Sequence, residues 1–244
     1  MGELIARGMM QKSKIEWCDY TVNPVKGYCP MACPYCYARR MYDRFGWDKT
    51  IRYEQDAWYK PAHIDQLEAG KRIFVGSTFE LFGDWVKPEW LDAIFYEVEL
   101  HSDQAFIFLT KQPQNLQKWS PFLENCWVGV SVDGTDNAPL GRMLYTAFDR
   151  IQAKVKFVSF EPLLANTRLD KRDLSPDFAD IQWAIIGAET GNRKGKPPLT
   201  EVHKWAKEII AAADEAGIPV FLKDNLKWPV RRQEFPVTKC SDFG

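Results

Sequence analysis

The sequence predicts an α/β fold whose parallel sheet forms a full or partial TIM-type (β/α) barrel. Three observations support this: short apolar runs recur along the chain, helical patterns lie between them, and the connections are short. The runs are apolar on both sides and bounded by polar or glycine residues, which is typical of strands buried in a parallel sheet. An open doubly wound sheet would show the same alternation, so that architecture stays open.

The strands are predicted over residues 14–17, 72–75, 105–109, 127–132, 155–160, 183–186 and 220–222. Helices are predicted over residues 34–45, 88–100 and 200–216. Pro88 suits a first helical turn, Thr200 can act as an N-cap, and Gly217 can end the last helix. No linker divides the sequence, so residues 1–244 are predicted as a single barrel domain with short N-terminal and C-terminal extensions.

Composition limits the function classes. The formal net charge of −1 gives no global attraction to nucleic acid. A local cluster at Arg39, Arg40 and Arg44 is either a solvated face or a phosphate site. No apolar run is long enough to cross a membrane, and no signal peptide precedes the cysteines, so we expect a cytoplasmic protein with reduced thiols.

The segment Cys29-Pro-Met-Ala-Cys33-Pro-Tyr-Cys36 carries three clustered thiols. Three thiolates can hold three irons of a cubane cluster and leave the fourth iron open to substrate or cofactor. A structural zinc site needs four ligands, usually in two pairs, and neither the histidines nor the other cysteines, Cys18, Cys126 and Cys240, form a second pair. The alternative that stays open is a non-catalytic iron–sulfur or zinc binding module that acts with a protein partner.

Polar side chains follow the predicted strands, where functional groups gather in parallel α/β sheets. They are Glu80, Lys111, Ser131, Asp133, Glu161, Glu189 and Lys223. Buried charges are costly unless paired, so these groups are expected to line one polar cavity. Lys111, Glu161, Glu189 and Lys223 are the catalytic candidates, and ion pairs at the rim without a chemical role are the alternative.

The cysteine spacing, with Tyr35 before the third thiol, resembles the signature of the radical S-adenosylmethionine (SAM) enzymes. Short blocks between residues 13 and 225 resemble a narrower group, the phage-type three-Cys-motif proteins, a family of undefined function. These blocks include Ser13-Lys-Ile-Glu-Trp17, Leu109-Thr-Lys111, Ser159-Phe-Glu-Pro162, Gly187-Ala-Glu189 and Phe221-Leu-Lys223.

This resemblance implies a radical SAM-like barrel and an enzyme with a [4Fe–4S] cluster on Cys29, Cys33 and Cys36. In that family SAM chelates the open iron, and an electron from the reduced cluster cleaves SAM to a 5′-deoxyadenosyl radical. The resemblance also implies an external electron donor such as flavodoxin or ferredoxin. The substrate is unknown, and a nucleotide or nucleic acid fits a phage setting.

The resemblance suggests cofactor-binding residues as well. Tyr35 would pack on the cluster loop or the adenine, or else anchor the first helix. Where the family carries a Gly-Gly-Glu-type turn, this chain reads Val-Gly-Ser-Thr-Phe-Glu, so Ser77, Thr78 and Glu80 are the expected SAM contacts there. Ser131 and Asp133 suit the ribose or carboxylate of SAM.

Overall fold

A computed structural model describes residues 10–60, 62–136, 139–175 and 178–237. They fall into two compact units. The first takes the described residues up to Thr110 together with Leu123–Cys126, and the second takes Lys111–Phe122 and the described residues from Trp127 onward. Both units combine helices with a mostly parallel sheet, so the mixed α/β prediction is confirmed. Closure into a barrel and the single-domain organisation stay predictions.

The first unit holds a four-stranded run in the order β1-β2-β5-β6. β2, β5 and β6 are parallel, and β1 is antiparallel to β2. β3 and β4 form a separate antiparallel pair. The strands are β1 Gln11–Lys12, β2 Tyr20–Val22, β3 Val25–Lys26, β4 Arg52–Tyr53, β5 Arg72–Val75 and β6 Ala105–Thr110. The helices are α1 Tyr37–Phe45 and α2 Pro88–Leu100, with short 3-10 turns at Gln55–Trp58 and Ile64–Gln66.

The second unit holds four parallel strands in the order β7-β8-β9-β10. They are β7 Cys126–Ser131, β8 Val155–Phe160, β9 Trp183–Ile186 and β10 Val220–Leu222. The first residue of β7 belongs to the first unit. The helices are α3 Leu140–Phe148 and α4 Leu199–Glu215, with 3-10 turns at Pro113–Trp119, Lys171–Leu174 and Asp224–Leu226.

Aromatic side chains fill the core of each unit. Trp183 is fully buried, with its ring centroid 5.3 Å from that of Phe157 and 5.8 Å from that of Trp127. In the first unit the rings of Trp58 and Phe106 meet at 6.1 Å. Such large rings remove much apolar area from water, which accounts for the high aromatic content of the chain.

The predicted strand at residues 14–17 is wrong. The Ser13 hydroxyl accepts a hydrogen bond from the backbone N–H of Ile15 at 2.8 Å, and this side-chain bond turns the chain. Trp17 is buried against Phe74, with ring centroids 4.8 Å apart, so the apolar run reflects an anchor in a turn. The first parallel strand is β2.

Two helix starts also differ from prediction. The first helix begins at Tyr37 with Cys36 as its N-cap, rather than at residue 34. Thr200 lies inside α4, which begins at Leu199 after Pro198, so the predicted threonine cap is wrong. The helical stop at Gly217 is confirmed by its φ of +68°. Among the described residues no helix is long and apolar enough to span a bilayer.

Candidate functional site

The segment of residues 29–36, called the cysteine loop below, lies in the first unit, between β3 and α1. Gly27 precedes it with a φ of +115°, and a Cβ at that position would lie 2.6 Å from the Thr50 carbonyl oxygen. Its N–H donates to the Tyr42 hydroxyl at 2.9 Å. Glycine is therefore required at the entrance of the loop, and Tyr42 of α1 fixes its path.

The three thiols differ in exposure. Cys29 is buried, whereas Cys33 and Cys36 are half-buried. The Cys36 N–H donates to the Cys33 carbonyl at 3.0 Å, and Arg39 donates to the Cys29 carbonyl at 2.5 Å. The loop is thus held by its own backbone and by the first helix, and all three thiols lie on it.

The environment of Cys29 joins the loop to the end of β5. Burial raises the pKa of the Cys29 thiol, and the charges of Glu80 and Cys36 raise it further. Backbone N–H groups of Glu80 and Met31 donate to the sulfur and act in the opposite direction. A bound cation would act in the opposite direction to burial and favour the thiolate form of Cys29.

Two kinds of metal centre use thiolate donors, a zinc site and an iron–sulfur cluster. Across the described part of the chain, no three His, Cys, Asp or Glu side chains converge closely enough to hold one metal ion. Zinc needs its thiolates within about 2.3 Å of a single centre. In a cubane cluster each thiolate binds a different iron, so the sulfurs stand further apart. Three thiolates on one loop are the donor set of a cluster that leaves one iron open, whereas a structural zinc site takes four ligands.

The turn after β5 brings two predicted residues together. Asn23 is buried, and its Oδ1 accepts from the Thr78 N–H at 2.9 Å, the Thr78 hydroxyl at 3.0 Å and the Ser77 hydroxyl at 3.2 Å. The Tyr37 hydroxyl donates to the Ser77 carbonyl at 3.2 Å. Asn23 and the first helix thus hold the turn, and Asn23 was not among the predicted site residues.

Glu80 is buried at the end of the same turn. Its Oε1 accepts from the Thr110 hydroxyl at 2.6 Å and from the Phe82 N–H at 3.1 Å. The Glu80 carboxylate therefore fixes the turn, while the Glu80 backbone N–H donates to the Cys29 sulfur. Tyr35 is half-buried on the cysteine loop. Its contact with a cofactor stays a prediction.

Four of the predicted residues meet in the second unit. The Lys111 ammonium donates to the Ser131 hydroxyl, which donates to the Glu161 carbonyl at 3.3 Å. The Lys223 ammonium pairs with the Glu161 carboxylate. A Cβ on Gly187 would lie 3.0 Å from Lys223 Cδ, so a residue without a side chain lets this pair approach the end of β9. We call these four the lysine cluster.

The remaining two predicted residues have local partners. Glu189 is buried and forms two hydrogen bonds of 2.8 Å with Arg193. Asp133 accepts from the Thr135 N–H at 2.9 Å and the Thr135 hydroxyl at 2.5 Å in a turn after β7. Paired side chains of this kind suit the rim alternative as well as a functional one. Arg193 was not among the predicted site residues, and because both residues lie in a loop before α4, no periodic pattern indicated the pair.

Comparison with known proteins adds three findings. Residues 12–240 match the model of the family described as protein of unknown function (DUF5131). No curated protein matches the sequence. Two solved structures share the fold.

One of these structures is a spore photoproduct lyase double mutant with bound AdoMet and dinucleoside spore photoproduct. It is 12% identical with a TM-score of 0.57, covering 87% of this chain and 78% of that one. The other is spore photoproduct lyase complexed with the dinucleoside spore photoproduct, 13% identical with a TM-score of 0.52, covering 82% of this chain and 64% of that one.

Proposed function

We propose that this chain, which belongs to the DUF5131 family of proteins of unknown function, is a [4Fe–4S]-dependent radical SAM enzyme that modifies a nucleotide or nucleic acid. The observation that carries the proposal is the cysteine loop, which bears three thiols at the entrance of α1. The fold is one in which spore photoproduct lyase binds AdoMet and a dinucleoside.

Cys29, Cys33 and Cys36 would hold the cluster, which when bound supplies the electron that cleaves SAM to a 5′-deoxyadenosyl radical. The chain's own part is to keep the loop fixed and partly dry. Burial of Cys29 and the two N–H groups aimed at its sulfur do this. Backbone donors of this kind stabilise thiolate charge without adding a side chain that a radical could attack.

The turn after β5 is the proposed site for the SAM amino group. Ser77 and Thr78 present hydroxyls there, and Asn23 orients both. Tyr35 would pack on the cofactor from the cysteine loop, and Glu80 supports the turn through Thr110. These groups can bind and orient a ligand because their positions are set by buried partners.

Residues of the second unit carry the other proposed roles. Ser131 and Asp133 are the candidates for the SAM ribose or carboxylate, and Lys111, Glu161, Glu189 and Lys223 are the catalytic candidates. The Lys223 ammonium beside the Glu161 carboxylate can hold a proton at its Nζ and pass it to a substrate atom. All six candidates lie at the end of a parallel strand or shortly after one in the chain, and this position supports the proposed roles.

The proposed substrate class is supported by the two structures of similar fold, whose ligand is a dinucleoside spore photoproduct. We propose a DNA-related substrate, a flavodoxin or ferredoxin as electron donor, and a cytoplasmic setting. The narrower link to phage-type three-Cys-motif proteins belongs to the same proposal.

The test is anaerobic reconstitution with iron and sulfide, followed by dithionite and SAM, with 5′-deoxyadenosine measured by chromatography. The wild-type protein should form it, and Cys36→Ala should not. Cys240→Ala is the matched control, since it removes the same kind of side chain far from the cysteine loop in the sequence; Cys240 lies outside the described residues. A fully loaded cluster that yields no 5′-deoxyadenosine would contradict the enzyme, and one zinc per chain would favour the binding module.

A further inference from the structure

The exposed side of α1 combines cationic and aromatic side chains. Tyr37, Arg40 and Arg44 recur at spacings of three and four residues and are all exposed, and Phe45 follows at the helix end. Residues at such spacings lie on one face of a helix. We call these four residues the α1 face.

The positive charge of this face is not neutralised locally. Residues 37–49 contain two acidic side chains, and each pairs with a cation other than Arg40 and Arg44. Asp43 pairs with Lys49 at 2.6 Å, and Asp48 pairs with Arg52 at 3.2 Å. Within the part of the chain that the structure describes, no carboxylate lies at ion-pair distance from the arginines of α1. The face therefore presents a net positive patch on a chain whose overall charge is −1.

The aromatic part of the face is built for stacking. Phe45 is 47% exposed and stacks on Trp47, with ring centroids 5.3 Å apart and an interplanar angle of 19°. The Arg44 guanidinium lies 5.3 Å from the Phe45 ring. Tyr37 is 44% exposed, with its hydroxyl tied to the Ser77 carbonyl. Large exposed rings beside guanidinium groups are the elements with which proteins hold unpaired bases.

We propose that the α1 face binds single-stranded nucleic acid, with Arg40 and Arg44 on phosphates and Phe45 under a base. The inference rests on the proposed function for its substrate class. Because α1 starts after Cys36, the Cα atoms of Arg40 and Arg44 lie about 6 and 12 Å along the helix axis from the Cα atom of Cys36. A strand on this face would therefore run close to the cysteine loop.

The aromatic component decides between the partners that a positive patch can attract. An acidic protein would satisfy the charges but would not need the exposed Phe45 ring that stacks on the half-buried Trp47. A duplex keeps its bases paired and stacked internally, so its bases would not reach Phe45. A flexible single strand satisfies both features.

The experiment measures binding of the iron–sulfur-loaded protein to a fluorescent single-stranded oligonucleotide by polarisation at several salt concentrations. The double variant R40E/R44E should weaken binding at least about tenfold at low salt and lower the slope of log affinity against log salt by about 1.4, because two phosphate contacts are lost. Phe45→Ala should weaken binding about tenfold with an unchanged salt slope. The control variant R142E/R150E replaces two exposed arginines outside the α1 face and changes the net charge by the same amount. It should bind the oligonucleotide like the wild-type protein.

Circular dichroism identifies any variant that has lost its fold, and R40Q/R44Q, a milder change, should then show the same loss of salt slope. Equal affinity in R40E/R44E and the control pair would overturn the proposal, as would duplex binding as tight as single-strand binding. So would a double variant whose only defect is slower reduction by an acidic electron donor. SAM cleavage by the wild-type protein is measured separately, so failure of the proposed function leaves the binding result readable.

Discussion

Replacing Asn23 with alanine should loosen the turn that we propose for SAM. Asn23 is only 3% exposed, and its single carbonyl oxygen serves three donors. Alanine fills less space and offers no acceptor, so the Thr78 N–H and the hydroxyls of Ser77 and Thr78 all lose their partner.

The magnitude follows from the exposure of each donor. The Thr78 N–H bonds to the buried Asn23 oxygen in a part-buried contact, and a backbone N–H left without its partner there costs about 1 to 3 kcal/mol. Ser77 and Thr78 are half-buried, so their hydroxyls can turn to water and cost less than about 1 kcal/mol each. We therefore expect Asn23→Ala to lower the free energy of unfolding by about 2 kcal/mol or more. Ser77→Ala removes one hydroxyl bond and should cost less than about 1 kcal/mol.

The assay is urea unfolding of both variants, followed by tryptophan fluorescence, with SAM affinity measured by equilibrium dialysis on the folded protein. Asn23→Ala should shift the midpoint further than Ser77→Ala and should also weaken SAM binding. An unchanged midpoint would refute the reasoning about the turn. A lower midpoint with unchanged SAM affinity would refute its assignment to the cofactor.

Three further predictions concern other parts of the chain. Gly187→Ala would place a methyl group 3.0 Å from Lys223 Cδ and should cost about 1 to 3 kcal/mol, seen as a lower melting temperature; an unchanged melting temperature would contradict this. Burial tends to raise the pKa of Asp19, but hydrogen bonds and charge from Arg72 outweigh it and hold that pKa below its usual value. The pair therefore stabilises the fold above about pH 4, so Asp19→Asn should lose about 1 kcal/mol at neutral pH and approach wild type as the pH falls through the lowered pKa. Equal losses in acid and at neutral pH, measured by urea unfolding, would exclude this linkage. Burial raises the pKa of Cys126 to about 12, so iodoacetamide at about pH 8 should leave it unlabelled in the native protein; peptide mass spectrometry showing rapid labelling would be inconsistent with that.

The sequence predicted the strands well where they are continuous apolar runs. Residues 72–75, 155–160, 183–186 and 220–222 form strands with the expected bounds. Periodicity failed where a side chain competes with the backbone, as Ser13 does in the turn at residues 14–17. The helix α3 was not predicted at all.

Positions at the site were easier to predict than partners. Charged residues after strands could be found by counting along the chain, and Lys111, Ser131, Glu161 and Lys223 do come together. Their pairing is a contact between distant segments, which no single-sequence pattern encodes. For the same reason the sequence did not predict that Asn23 accepts hydrogen bonds from Ser77 and Thr78, which lie 54 and 55 positions after it in the chain.

We propose that Cys29, Cys33 and Cys36 hold a four-iron cluster with one iron open to SAM. Electron paramagnetic resonance of the reduced, anaerobically reconstituted protein, with iron and sulfide assayed on the same sample, is the decisive measurement. We expect about four irons and four sulfides per chain and a signal that changes when SAM is added. A loaded cluster whose signal ignores SAM, or a chain that takes up a single zinc ion instead, would contradict it.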